Sequence, residues 1–263
     1  MHHDIEPMPN SNVLCIAWEV KSSSDATAAG RSQASTIWPD SIIEVQPQGT
    51  SGGTIVWEWH AWDHLVQDYN SSRANYGVVA DHLELIDVNL GGGSGAWGSD
   101  WMHMNGVSYN PQTDQIVFRS HYLNELYVID HSTTTQQAAG HTGGRYGKGG
   151  FSQNYDRGAS GSQVFYAVHN ACWIPSGLPG AGNIVAFNNG SYSTIEEIIP
   201  PLDSSGNFIL DPGSAYGRIR LPGVIRLPDF SATVSQAPST CPMVIHSSVR
   251  LVVRFLRSPV RVP

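Results

Sequence analysis

Charge is scarce in this chain. Only 14% of its 263 residues are Asp, Glu, Lys or Arg, and 14 basic against 22 acidic side chains leave a formal net charge of -8. The basic footprint of a nucleic-acid partner is therefore missing. Long apolar runs are missing too, since no stretch approaches the roughly 20 residues that span a bilayer as a helix. Cysteine is limited to Cys15, Cys172 and Cys241. Three cannot all pair, and their spacing matches neither a zinc ribbon nor a redox CxxC motif, so they leave the compartment open. The chain opens Met1-His2-His3-Asp4 rather than with a basic and then apolar leader. Because a candidate site residue falls at position 3, the chain is expected to start inside a longer protein.

What is abundant is the material of turns: 27 Gly and 16 Pro, with 8 Trp. That balance suits short strands joined by many turns, and a chain of this length is expected to form one large all-β domain. Strand-like runs rich in Val, Ile and aromatics fall at 12–20, 41–45, 53–59, 114–118, 125–129, 163–168 and 182–187, each bounded by Gly, Pro, Asn, Asp or Ser. They read as antiparallel strands. One short helix is expected from His60 to Asp68, with Trp62, Leu65 and Val66 on one face.

A weak internal repeat organises these runs. His3 leads through Pro7 and Pro9 to a strand at Asn12; His103 leads through Pro111 to one at Asp114; His169 leads through Pro175 and Pro179 to one at Asn183. Successive blades of a β-propeller aim equivalent positions at one central channel, so three such histidines would converge on a single site. The competing reading is that each histidine merely caps a turn.

Several motifs carry less. In His141-Thr-Gly-Gly-Arg-Tyr-Gly-Lys-Gly-Gly150, Thr142 stands where a nucleotide-binding loop needs its first glycine and Gly149 where it needs Ser or Thr. The stretch is expected to be a flexible loop, with Arg145 and Lys148 its link to anions. His60-Ala-Trp-Asp-His64 has Ala61 where a zinc protease needs Glu, so packing of Trp57, Trp59 and Trp62 is the better account. Gly91-Gly-Gly-Ser-Gly95 reads as a turn. Asp100-Trp-Met-His-Met-Asn105 is different. It sets a carboxylate, an imidazole and an amide just ahead of a strand, and His103 and Asn105 share one side of an extended chain.

Longer strings carry a resemblance. These are His2-His3-Asp4-Ile-Glu-Pro-Met-Pro-Asn10 with Ile16-Ala-Trp-Glu19, Ile55-Val-Trp-Glu-Trp-His-Ala-Trp-Asp-His-Leu65, Asp100-Trp-Met-His-Met-Asn105, Val128-Ile-Asp-His-Ser-Thr-Thr-Thr135, Ala139-Gly-His-Thr-Gly-Gly-Arg-Tyr-Gly-Lys-Gly-Gly150 and Leu178-Pro-Gly-Ala-Gly-Asn-Ile-Val-Ala-Phe-Asn-Asn-Gly190. Over most of positions 1 to about 217 the chain resembles the PAPS-independent arylsulfotransferases. The resemblance implies a six-bladed propeller, here with an incomplete set of blades, that moves a sulfuryl group from an aryl sulfate donor to a phenolic acceptor through a sulfohistidine. It implies His169 as nucleophile, with His103 and His3 as catalytic partners and Asn105 in substrate binding. The family arginine position falls by count on His121, with Arg119 two residues earlier on the same strand face, so both are candidates for binding the sulfate. No cofactor and no metal are implied. Exported bacterial relatives suggest a periplasmic or secreted location.

Some features depart from the family. After Gly150 about one strand of sequence is expected to be lacking, which would displace His169. From Phe230 to Pro263 there is no acidic residue, while Arg250, Arg254, Arg257 and Arg261 accumulate. The expected organisation is thus a propeller part over 1–229 and an atypical basic tail over 230–263, for which a shifted reading frame or a truncated gene competes with a genuine basic tail. Two further functions compete with sulfuryl transfer: a catalytically inactive propeller that binds a ligand or a protein, and a metal-dependent esterase site built from the His, Asp and Asn cluster.

Overall fold

The computed structural model describes residues 1–91, 99–155, 165–189, 193–202, 209 and 225–227. Alternating residues of a strand face opposite sides, and that pattern builds three four-stranded antiparallel sheets, each in chain order. The first joins β1 (Ile5–Pro7), β2 (Val13–Trp18), β3 (Asp40–Gln48) and β4 (Gly52–His60). A short parallel pair follows, β5 (Leu65–Val66) with β6 (Ile86–Asp87). The second sheet joins β7 (Met104–Asn110), β8 (Gln115–Ser120), β9 (Glu125–Asp130) and β10 (Gln153–Tyr155). The third joins β11 (His169–Trp173), β12 (Ile184–Asn189), β13 (Ser193–Ile198) and β14 (Ile225–Leu227). Four-stranded meanders side by side are the blades of a β-propeller, and among the described residues three blades form an all-β, unclosed set.

The middle blade shows why they stack. Every residue of β8 and β9 is buried, and successive residues serve two different cores. Ile116, Phe118, Tyr127 and Ile129 join Leu14, Ile16, Ile42 and Trp59 of the first blade. Val117, Leu126 and Val128 join Ala171, Trp173, Ile184 and Ala186 of the third. Each large apolar side chain so enclosed contributes about 1.5–3 kcal/mol. Phe118 is sandwiched between Trp59 and Tyr127, with ring centroids 5.0 and 4.9 Å away.

Six of the seven expected strands are present as β2, β3, β4, β8, β9 and β12. The seventh is corrected. Its described part, residues 165–168, is not a strand, and the strand β11 starts at His169. Amide oxygens account for this: Asn188 Oδ1 accepts from Tyr166 N at 2.8 Å and Asn124 Oδ1 from Ala167 N at 2.7 Å, and Ala167 has φ 46°. The expected helix at 60–68 is also corrected. His60 ends β4, a single 3-10 turn covers Ala61–Asp63, and Leu65–Val66 is β5. Burial of His64 against Trp59, with its Nε2 2.8 Å from Ala138 O, holds that turn. Two short helices stand elsewhere, α1 (Ser23–Ala28) and α2 (Thr135–Ala138), each with a capping box.

The glycine-rich stretch 141–150 is a loop, as its composition predicts, and Arg145 Nη1 donates to Gln112 O at 3.2 Å. Within the turn expected at 91–95, positions 92–95 lie outside the described residues, as does the basic stretch 230–263. After Gly150, where about one strand was expected to be lacking, the second blade is completed by β10, and residues 156–164 lie outside the described residues. Among the described residues no helix is long and apolar enough to cross a membrane.

Candidate active site

The three innermost strands, β1, β7 and β11, begin at the same end of the blades, and a histidine marks each start. His3 lies two residues before β1, His103 one residue before β7, and His169 opens β11. The backbone there is unusual. His3 (φ 56°), His103 (φ 51°), Ala167 (φ 46°) and Asn170 (φ 48°) are left-handed without being glycine, a conformation that costs of order 1–3 kcal/mol and persists where surrounding contacts impose it. Register shifts between Met104 and Val107 and between His169 and Cys172 mark bulges in the same strands, the device that re-aims a side chain from a sheet.

The outcome is a row of rings. The His3 and His103 centroids are 4.5 Å apart, His103 and His121 5.4 Å, and His121 and His169 5.2 Å. His3, His103, His121 and His169, which are far apart in sequence, therefore stand together. Two rings not singled out in the sequence extend the row. His2 lies 4.9 Å from His3 and is stacked at 4.0 Å on Trp18, and Tyr122 lies 4.8 Å from His103. His2 adjoins His3 in the chain, which was its one legible signal.

Each ring has its own support. His169 Nδ1 lies 2.7 Å from Ala167 O, and a carbonyl can only accept, so Nδ1 carries the hydrogen and Nε2 keeps its lone pair. The segment ahead of it is clamped to the second blade by Asn124, and Asn105 Nδ2 donates to Val168 O at 3.4 Å. His103 Nδ1 lies 2.5 Å from Oδ2 of the fully buried Asp100. Asp40, also fully buried, accepts from Met104 N at 2.8 Å through Oδ2, and its Oδ1 lies 2.9 Å from His2 Nε2. Burial holds the Asp40 carboxyl well above the usual range, helped by the charge of Asp100.

Arg119 sits beneath the row, not in it. Its side chain is buried, and Nη2 donates to Asn105 O. The space it fills exists because residue 106 is glycine: a Cβ there would overlap the guanidinium. Burial brings Arg119 down to about 9, which leaves it charged at neutral pH. Its charge reaches the rings above. Burial first, then the Arg119 charge, lowers His169 to about 4. Burial and then the neighbouring His103 and His2 lower His3 to about 4, and burial followed by His103 and Arg119 lowers His121.

The arrangement is a partly exposed cluster of imidazoles, of which His2, His3, His121 and His169 are lowered, over one buried cation. It can offer a nucleophilic nitrogen, take up and return protons, and attract an anion. Among the described residues no three of His, Cys, Asp or Glu are grouped so as to hold a metal ion. No curated protein matches the chain. A family model does: that of the arylsulfotransferases (ASST) aligns with residues 1–206, which includes β1 to β13 and every ring of the row. With more than half of its length so matched, the chain belongs to the arylsulfotransferase family, whose substrates are small molecules.

Proposed function

We propose that the chain moves a sulfuryl group from an aryl sulfate to a phenol in two steps, through a sulfohistidine on His169. The observation that carries this reading is the His169 tautomer: Nδ1 is engaged by Ala167 O, Nε2 is unprotonated, and the low pKa keeps it so at neutral pH. A neutral imidazole is a competent nucleophile, and each half of a double displacement is easier than one direct transfer.

In the first step the Nε2 lone pair bonds to sulfur while the sulfur to aryl-oxygen bond breaks, its electron pair leaving on the phenolate. In the second, a phenol oxygen bonds to sulfur and the pair of the sulfur to nitrogen bond returns to His169. Sulfuryl transfer has a loose transition state like that of phosphoryl transfer, so charge on the equatorial oxygens is what the site must stabilise. In this reading His3 and His121 donate to those oxygens. Arg119, being buried, contributes through its field rather than by contact, and Asn105 holds both Arg119 and the backbone ahead of His169. The reaction so drawn requires neither nucleotide nor metal. By analogy with exported bacterial relatives, its compartment would be periplasmic or secreted.

Intact mass after brief incubation with 4-nitrophenyl sulfate, comparing wild type with His169→Ala, tests the reading. A gain of one sulfuryl group in the wild type and none in the variant supports it. A folded wild type with no gain overturns it in favour of a catalytically inactive propeller that binds a ligand or a protein.

A further inference from the structure

The transfer steps above leave His103 unused, and with it the carboxyl of Asp100. That carboxyl is completely buried, and its Oδ2 lies 2.5 Å from His103 Nδ1, while the His103 side chain keeps 23% of its surface exposed. A carboxylate has only acceptors, so the nitrogen facing it carries hydrogen and Nε2, across the ring, is the free one. The rings of His3, His121 and Tyr122 lie against His103, with centroids 4.5, 5.4 and 4.8 Å away. Asp40 fixes the backbone next to it by accepting from Met104 N.

His103 and His169 are thus supported differently. His169 Nδ1 meets an uncharged carbonyl, which suits a ring that must stay neutral to attack. His103 Nδ1 meets a carboxylate, which compensates the charge the ring acquires on protonation. Two like groups held in unlike environments are how one site separates nucleophile from acid and base.

We propose that Asp100 is a positioning residue that fixes His103 with Nδ1 protonated and so makes His103 Nε2 the group exchanging a proton with the phenolic oxygen. This rests on the sulfuryl-transfer reading. His103 enters this step as the imidazolium, and as the sulfur to oxygen bond of the donor breaks, its electron pair settles on the aryl oxygen, which takes the Nε2 proton and leaves the ring neutral with its hydrogen on Nδ1 beside Asp100. When an acceptor phenol attacks the sulfohistidine, its O–H proton passes to the same Nε2, and the cycle closes with no net change at His103.

The test compares single-turnover adduct formation on His169 in the full-length wild type and Asp100→Asn, with two donors. 4-Nitrophenyl sulfate releases a phenolate that needs little protonation; phenyl sulfate releases one that needs it. The variant should lose on the order of 10²–10³-fold with phenyl sulfate, the range of general acid catalysis, and less than about 10-fold with the nitro compound. Equal losses with both donors would mean that Asp100 merely supports the fold, and would overturn the proposal alone. A wild type that forms no adduct with either donor overturns the transfer reading and the proton exchange together. If Asp100→Asn does not fold, the imidazole nitrogen spectrum of the wild type decides: a neutral form of His103 that keeps its hydrogen on Nδ1 supports the proposal, and one that carries it on Nε2 overturns it.

Discussion

The Nδ1 of His169 and the carbonyl oxygen of Ala167 are 2.7 Å apart, across a left-handed turn that places the ring against His121. Burial, reinforced by the charge of Arg119, lowers the ring to about 4. His169, the proposed nucleophile, should therefore remain neutral far below the ordinary histidine range of about 6.5. With 4-nitrophenyl sulfate, the rate of adduct formation is expected to be flat from pH 8 down to about 5 and to halve near pH 4. Rapid-quench mass measurements across that range check it, and a midpoint at 6.5 would contradict the burial argument.

Gly106 and Arg119 are matched in volume, since a methyl group at residue 106 would occupy the position of the guanidinium. Gly106→Ala is expected to displace Arg119, break its bond to Asn105 O and disturb the backbone that positions His169. Misplacement on the scale of 1 Å costs on the order of 100-fold in rate. Arg119→Met leaves Gly106 in place and removes only the charge. The expected result is an upward shift in the titration of His169 and His121, both of which Arg119 depresses, visible in imidazole NMR spectra. Unchanged titration in Arg119→Met would show that burial alone sets those values.

Six of the strands outside the inner row were legible in the sequence, and the inner ones were not. β2, β8 and β12 are dense in Val, Ile and Phe because their faces are buried between blades. β1 contains Pro7, β7 reads Met-Asn-Gly-Val-Ser-Tyr-Asn and β11 reads His-Asn-Ala-Cys-Trp. These strands begin at the ring row and pack against one another, and they carry polar and small residues where strand propensity looks for branched ones. The run Val164-Phe-Tyr-Ala-Val168 has the opposite character. Phe165 and Val168 are buried, yet the described backbone is irregular because the Asn124 and Asn188 side chains take its N–H groups. The repeated histidines were readable as a pattern. Asp100, three residues before His103, was readable in the same motif, whereas the support from Asp40 and Asn124 depends on contacts between remote segments that spacing along one strand does not reveal.

His131 links the first two blades at the turn ends away from the ring row. Its Nδ1 lies 2.8 Å from Asp114 Oδ1 and its Nε2 3.0 Å from Glu44 Oε2, so both nitrogens face carboxylates and the ring is held as the imidazolium. Asn10 and Asn12 donate to the other Glu44 oxygen, and Tyr109 donates its hydroxyl to Asp114 at 2.8 Å. Burial works against the His131 charge, but the hydrogen bonds and charges of Asp114 and Glu44 outweigh it and raise the pKa. A histidine raised in the folded state adds stability that is fully present below its unfolded pKa of about 6.5 and is lost as pH climbs through the folded value. Asp114, held low chiefly by its bond to His131, adds stability above the carboxylate range that is lost on acidification. His131→Gln should therefore cost roughly 1.5–3 kcal/mol near pH 6, the scale of hydrogen bonds to charged groups, and clearly less at pH 9. Urea unfolding of both proteins at the two pH values measures the difference. A penalty that does not change with pH would mean that His131 joins the blades by shape and not by charge.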